Sequence, residues 1–146
     1  MSTSIRKVPT GKSKYIQGSF HSAKNDVSFP YKSSYELAYL QKLENNTKVV
    51  QYIYEPFDLY YTDMYSKQRV YKPDFMVLYE DGSILISEVK PQDMLKDFDV
   101  QAKAKACKQF IKDNYKDIDI SYEFVTEKDL FKDATAYTNF IKNIKR

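Results

Sequence analysis

The pattern of apolar and polar residues divides the chain into helical segments and strand-like segments. Helical periodicity runs through "SSYELAYLQKLENN" (residues 33–46), about residues 96–115 and "ATAYTNFIKNIKR" (134–146). Strand patterns occupy "VVQYIYEPFDLYYTD" (49–63), "RVYKPDFMVLYE" (69–80), "SILISEVK" (83–90) and "IDISYEFVT" (118–126). The order α-β-β-β-α-β-α predicts an α/β (α+β) fold, with a sheet flanked by helices on both faces.

Capping signals define where the helices begin and end. Ser33 is a suitable N-cap for the first helix, and Asn45–Asn46 a suitable end. In "TEKD", Thr126 and the acidic residue three positions later predict another helix start. Pro56 indicates that the first strand segment bends there or lies near a sheet edge. The second helix has one apolar face, formed by Val100, Ala104, Cys107 and Ile111.

Residues 1–30 are predicted to form an extended basic arm ahead of a single domain at 31–146, because prolines, glycines and small polar residues punctuate them. Residues 1–24 contain no acid. Lys12 and Lys14 in this arm, with Lys103 and Lys105 on the second helix, are therefore candidates for DNA phosphate contacts. The alternative is that these lysines only solvate a tail and a helix surface.

Two loop lengths are possible in the hairpin at residues 71–91, and they differ in where the acids point. A loop of Asp81–Gly82 places Asp74 and Glu88 on opposite sides of the sheet. A loop of Glu80–Gly82, with a left-handed glycine, places Asp74 opposite Glu88, and Lys90 then shares their face. We predict the second register, or another odd-length loop or bulge with the same parity.

In that register, two acids end a face that is otherwise apolar. Unpaired carboxylates there would repel each other and lack solvation, and a divalent cation would relieve both problems. Oxygen ligands with added water suit Mg²⁺. The alternative is an ion-pair network in which Lys90 neutralises Glu88. The rest of this face is formed by Met76, Leu78, Ile84 and Ile86.

Glu36 is a third acid with two possible roles. Ser33 and Glu36 match a capping box, in which the glutamate only returns a hydrogen bond to the helix start. Glu36 also shares the helix face of Tyr39, Leu40 and Leu43, so its carboxylate could instead point toward the sheet. The two roles are compatible.

Composition excludes several other chemistries. The chain of 146 residues contains 1 Cys and 1 His, which excludes an intrachain disulfide and argues against a zinc site. The net charge of +3 is mild. With 3 glycines the chain has no phosphate-cradling loop, and we find no secretory signal or membrane-spanning run.

The motifs Glu36, Pro73-Asp74 and Glu88-x-Lys90, in this order, resemble the PD-(D/E)XK nuclease superfamily. "PYKSSYELAYLQKLENNTKVVQYIYEPFDLYY", "RVYKPDFMVLYEDGSILISEVKP" and "FVTEKDL" are similar to the TnsA-type endonuclease domain and to phage head-completion nucleases. The resemblance covers about residues 14–131. It implies a restriction-endonuclease-like αβββαβ core with a mixed sheet.

The resemblance also implies roles for individual residues. Asp74, Glu88 and the Val89 backbone carbonyl would bind Mg²⁺ or Mn²⁺. Lys90 would position the attacking water and stabilise the charged transition state. Glu36 would help bind a second metal, or act through water.

These roles imply a metal-dependent endodeoxyribonuclease with DNA as its partner. The chain ends soon after the nuclease core, so we expect a stand-alone phage head-completion or TnsA-like nuclease, acting as a monomer or homodimer. It would work in the host-cell cytoplasm or in a virion, beside phage head or neck proteins or other recombination proteins, and not at a membrane. The alternatives are a Holliday-junction-resolving nuclease and a virion structural protein that keeps the fold.

Overall fold

A computed structural model describes residues 16–144. The helices are α1 (Ser34–Asn45), α2 (Phe98–Asn114), α3 (Glu127–Leu130) and α4 (Ala134–Ile144), with a 3-10 turn at Gln92–Met94. The strands are β1 (Gly18–Ser22), β2 (Val27–Tyr31), β3 (Val49–Tyr54), β4 (Leu59–Thr62), β5 (Gln68–Tyr71), β6 (Phe75–Tyr79), β7 (Ile84–Val89) and β8 (Ile120–Val125). Within the described residues, no helix is long and apolar enough to cross a membrane.

The largest sheet contains four strands in the order β3-β6-β7-β8. β6 runs antiparallel to both β3 and β7. The Ile84 N–H donates to the Asp119 carbonyl, and six residues later the Lys90 N–H donates to the Val125 carbonyl. Because both partners advance in the same direction, β7 and β8 run parallel. The sheet is therefore mixed, and the predicted αβββαβ fold class is confirmed.

The β6–β7 turn has the predicted three-residue loop. Phe75 pairs with Ser87, and the Tyr79 N–H donates to the Ser83 carbonyl at 2.9 Å. Gly82 ends the loop with φ 88°, the left-handed conformation that glycine adopts without steric cost. The predicted register is confirmed, and with it the side of the sheet on which the acids lie.

The chain divides into two compact units. In the described part, the first contains residues 16–46, 89–93 and 125–144, and the second contains residues 47–88 and 94–124.

In the second unit, α2 packs on the sheet face that carries the acids. Asp97 caps this helix by accepting from the Val100 N–H. The predicted apolar face of α2 is confirmed, since its four residues are all buried. The core between helix and sheet contains Leu59, Tyr71, Ile86, Ala104, Cys107, Ile111 and Tyr122.

Two segments predicted as single strands are each broken in two. The chain leaves β3 at Glu55, where φ is 47°, and Pro56 follows. Pro73 separates β5 from β6, because proline has no N–H for a sheet ladder. β4 and β5 consequently pair with each other as a separate antiparallel hairpin, which the sequence analysis did not predict. α2 packs against β4.

In the first unit, β1 and β2 form a hairpin within the segment predicted as an extended arm. Its turn uses Asp26 with φ 54°. Glu44 of α1 holds the hairpin, because its carboxylate accepts from the Ser22 hydroxyl at 2.7 Å and from the Lys24 N–H at 3.1 Å. Lys12 and Lys14 lie outside the described residues.

The helices of the first unit begin and end where their capping residues predict. Ser33 accepts from the Glu36 N–H, and α1 ends at Asn45. Thr126 and Asp129 form a complete capping box at the start of α3. The hydroxyls of Ser34 and Tyr137 lie 3.0 Å apart in a buried hydrogen bond between α1 and α4.

Candidate active site

Asp74 and Glu88 lie side by side at the end of the β6–β7 pair. They continue the β6–β7 register by one position beyond the pair Phe75 and Ser87. The backbone N–H of Asp74 donates to Oε1 of Glu88 at 3.2 Å. The two acids are therefore on one face of the sheet, as predicted.

The backbone around Asp74 is held on both sides. Pro73 is fully buried immediately before it, and the Asp74 carbonyl accepts from the Glu55 N–H at 2.7 Å. The break in the chain at Pro73 thus places Asp74 directly at the start of β6, where its N–H is available to Glu88.

Glu88 is buried, with 6% of its surface exposed, and donors compensate for its lost hydration. The Tyr71 hydroxyl donates to Oε1 of Glu88 at 2.6 Å. The Tyr71 and Tyr122 hydroxyls lie 2.8 Å apart. Glu88 Oε1 thus accepts from both a phenol and a backbone amide, which restricts the orientation of the carboxylate.

Burial keeps the phenols and the thiol around Glu88 protonated. Burial, followed by the negative charge of Glu88, raises the pKa of Tyr71 above its ordinary value, and burial likewise raises the pKa of Tyr122. Burial and the Glu88 charge raise the pKa of the Cys107 thiol to about 12. Tyr71 therefore keeps the proton that it donates, and Cys107 is not a thiolate nucleophile at neutral pH.

Lys103, one of the predicted DNA contacts, lies beside this arrangement. Its ammonium is 5.5 Å from the ring centre of Tyr61 and 5.6 Å from that of Tyr71. These are cation–π distances. A positive charge from α2 is thus held over the same tyrosine that donates to Glu88. Lys105 is exposed on α2 and lines a groove between this helix and the β4–β5 hairpin.

Val89 and Lys90 follow Glu88 directly along the chain. Val89 is buried and is the last residue of β7. Lys90 is half-buried, and its N–H donates to the Val125 carbonyl at 2.9 Å. This bond fixes the backbone that leaves the strand. The catalytic role of Lys90 and the ligand role of the Val89 carbonyl stay predictions.

Glu36 has the geometry of a helix-capping residue. Its N–H donates to the Ser33 hydroxyl at 3.1 Å, and its Oε1 accepts from the Lys32 N–H at 2.7 Å. The returned hydrogen bond therefore comes from the residue before the N-cap, a variant of the capping box. A second role in catalysis or metal binding stays a prediction.

The oxygen donors at the strand ends are the carboxylates of Asp74 and Glu88. Over residues 16–144, no group of three or more His, Cys, Asp or Glu side chains is placed to hold a metal ion. Mg²⁺ and Mn²⁺ favour oxygen ligands, and Mg²⁺ usually keeps several waters beside one or two carboxylates, so the donor chemistry is compatible with such an ion. Metal binding by this pair stays a prediction.

Sequence reasoning missed the hydrogen bond from Tyr71 to Glu88 and the contact of Tyr71 with Tyr122. Tyr71 and Tyr122 are two of 14 tyrosines, and strand packing was the preferred explanation for most of them. The proximity of Tyr71 to Pro73-Asp74 in the sequence was the only available signal. The contact of Tyr122 depends on how β8 is placed in the sheet.

A comparison with protein-family models matches the part of the chain that carries these residues. The model described as TnsA-like endonuclease N terminal matches residues 46–127, more than half of the chain. The chain belongs to the TnsA-like endonuclease family. The matched range includes both acids, Lys90 and the whole of α2 and β8, so the hydrogen-bonded pair Asp74 and Glu88 lies inside the nuclease domain. No curated relative matches the chain.

Proposed function

We propose that this TnsA-like nuclease is a divalent-metal-dependent endodeoxyribonuclease that hydrolyses phosphodiester bonds in DNA. The observation that carries the proposal is the pairing of Asp74 with Glu88 on one sheet face, with the Glu88 carboxylate oriented by hydrogen bonds. Mg²⁺ is usually bound by one or two carboxylates together with waters, and Asp74 and Glu88 offer two carboxylates at the end of a buried sheet face.

Asp74 and Glu88 would hold the ion, with the Val89 carbonyl as a further oxygen ligand. When bound, Mg²⁺ lowers the pKa of water and polarises the phosphoryl oxygen. Tyr71 orients Glu88 through its O–H group. Lys90 provides fixed positive charge for the transition state. Lys103, with its ammonium over the Tyr71 ring, offers a second positive charge for the DNA backbone.

For the biological role, we propose a head-completion type of nuclease that trims or cuts phage DNA. The resemblance of the motif order and of the surrounding sequence to those nucleases supports this role. Resolution of four-way junctions is the competing activity, and the two differ in their preferred substrate.

The experiment is incubation of the protein with plasmid, linear and four-way-junction DNA, with Mg²⁺, Mn²⁺ or EDTA. We expect cleavage only with a divalent ion. Asp74→Ala, Glu88→Gln and Lys90→Ala should each abolish detectable cutting while DNA binding remains.

The matched control is Glu123→Ala, which removes an exposed acid from β8 of the same sheet. This variant should cut DNA like the parent. Equal cleavage by the Asp74→Ala variant and the parent would remove the proposed site, and selective cutting of junctions would replace the head-completion role with junction resolution.

A further inference from the structure

A groove lies between the β4–β5 hairpin and α2. Its volume is about 660 Å³. Aromatic and apolar side chains line it, and several are unusually exposed: Tyr60 is 65% exposed, Met64 57% and Phe98 55%. Exposed aromatic groups around a concave surface indicate a binding site rather than packing.

The polar lining of the groove favours an anionic ligand. Lys105 contributes an ammonium from α2, whereas the side-chain amide of Gln101 donates to the Leu95 carbonyl. The one carboxylate in the lining, Asp63, is already satisfied: Oδ2 accepts from Arg69 Nε at 2.8 Å, and Oδ1 accepts from the Tyr65 and Lys67 amides, each at 2.9 Å. Its charge is therefore neutralised within the hairpin.

Another acid, Asp99 near the start of α2, does not line the groove. Its carboxylate accepts from the Met64 N–H at 3.2 Å. This bond ties the turn after β4 to the helix. With Asp63 paired to Arg69, Lys105 is the cation that the described residues contribute to the lining. A protein partner could use the aromatic groups, but the lysine and the neutralised acid favour a phosphate-bearing ligand.

The groove and the acidic pair are linked through tyrosine side chains. Tyr61 lines the groove and packs edge-to-face on Tyr71, with ring centres 6.4 Å apart. Lys103 lies over both rings, and Tyr71, which is itself buried, donates to Glu88. Two tyrosine side chains therefore separate the groove from Glu88, with the positive charge of Lys103 above both rings.

We propose that this groove binds unpaired bases of the DNA strand beside the phosphodiester bond that is cleaved. The substrate class is DNA with a single-stranded segment next to the cleavage site, such as a frayed end, an overhang or a branch. The inference rests on the proposed nuclease function. Stacking of bases on aromatic side chains, with cations nearby, is the usual way in which proteins bind single strands without reading their sequence.

The test is fluorescence anisotropy with the full chain, in EDTA, using a labelled single-stranded oligonucleotide and a blunt duplex of the same sequence. Tyr60→Ala and Phe98→Ala should each weaken single-strand binding by about 5- to 150-fold, the range expected for one lost base stack. Duplex binding should change less than about twofold. Phe98→Tyr, which keeps a ring, should restore single-strand affinity.

The matched controls are Val70→Ala on the same hairpin and Ile118→Ala, since these residues are 53% and 48% exposed and neither lines the groove. Both should bind like the parent. Unchanged single-strand affinity in the Tyr60→Ala and Phe98→Ala variants would overturn the proposal, as would an equal loss on the blunt duplex.

The binding assay uses no metal and no cleavage, so it separates this inference from the proposed function. Selective loss of single-strand binding in a protein that cuts no DNA would support the groove and reject the nuclease. Metal-dependent cutting by a protein whose groove variants bind single strands like the parent would support the nuclease and reject the groove as a binding site.

Discussion

The hydroxyl of Tyr71, at the end of β5, donates a 2.6 Å hydrogen bond to Oε1 of Glu88 on β7. The bond joins the separate β4–β5 hairpin to the central sheet at the position of the acidic pair. The hairpin therefore also orients the Glu88 carboxylate, on which the proposed metal site depends.

Replacing Tyr71 with Phe removes this donor and keeps the ring beneath Lys103. We expect about a 10- to 100-fold loss of Mn²⁺ affinity, the usual effect of removing a group that orients a metal ligand. Calorimetric titration of Mn²⁺ into the protein without DNA measures it. Tyr79→Phe, on β6 near the turn, is the matched control. An affinity equal to the parent's in Tyr71→Phe would show that the hydrogen bond has no orienting role.

Gly82→Ala should destabilise the fold without a steric clash. Gly82 has φ 88°, and a Cβ added there meets no atom within 4 Å. The cost is therefore backbone strain alone, about 1–2 kcal/mol. Asn tolerates this conformation better, so the free energy of unfolding of Gly82→Asn should lie between those of the parent and of Gly82→Ala. Urea unfolding of the three proteins gives the order, and equal midpoints would argue against the left-handed loop.

Thr126→Ala should lower the free energy of unfolding by about 1 kcal/mol, because it removes half of the capping box of α3. Thr138→Ala is the comparison, since Thr138 is exposed on α4 and bonds only within its own helix. A surface change of that kind should stay within about 0.5 kcal/mol. Thermal unfolding followed by circular dichroism compares them. An equal effect of both substitutions would contradict the capping assignment.

The β4–β5 hairpin should weaken in acid. The Arg69 hydrogen bond, with backbone donors, holds the pKa of Asp63 below its ordinary value. A carboxyl whose pKa is lower in the folded state stabilises it above the ordinary pKa, and this contribution is lost as pH falls through the lowered one. The protection factors of the Tyr65 and Lys67 amides, which correct exchange for its intrinsic pH dependence, should fall over that window. In Asp63→Asn this fall should be absent; a parent-like pH profile of the protection factors would contradict the role of Asp63.

Much of the secondary structure follows from local signals. Ser33 and Thr126 cap their helices as predicted, since a side chain that satisfies an N–H two or three residues away needs no distant partner. The apolar face of α2 and the three-residue loop at Gly82 are likewise local properties. The predicted pairing of Asp74 with Glu88 follows from that loop, because the loop length sets which residues face each other.

The division of the strands was not predictable in the same way. Pro56 and Pro73 both signalled irregular backbone, but a proline does not determine whether a strand bends or leaves the sheet. Here the chain leaves the four-stranded sheet after β3 and returns to it at β6, and between them β4 and β5 pair with each other while β4 contacts α2. The hairpin brings Tyr61 and Tyr71 under Lys103, a contact between residues far apart in sequence.

The sequence by itself determined the helices, the turn at Gly82, the shared face of Asp74 and Glu88, and the family, because each depends on residues near one another or on motifs in a set order. Only the tertiary structure decided that Tyr71 donates to Glu88 and contacts Tyr122, that Lys103 lies over two tyrosine rings, and that a groove with aromatic side chains lies between the β4–β5 hairpin and α2. These contacts arise from packing between elements, in which the identity of a side chain does not specify its partner.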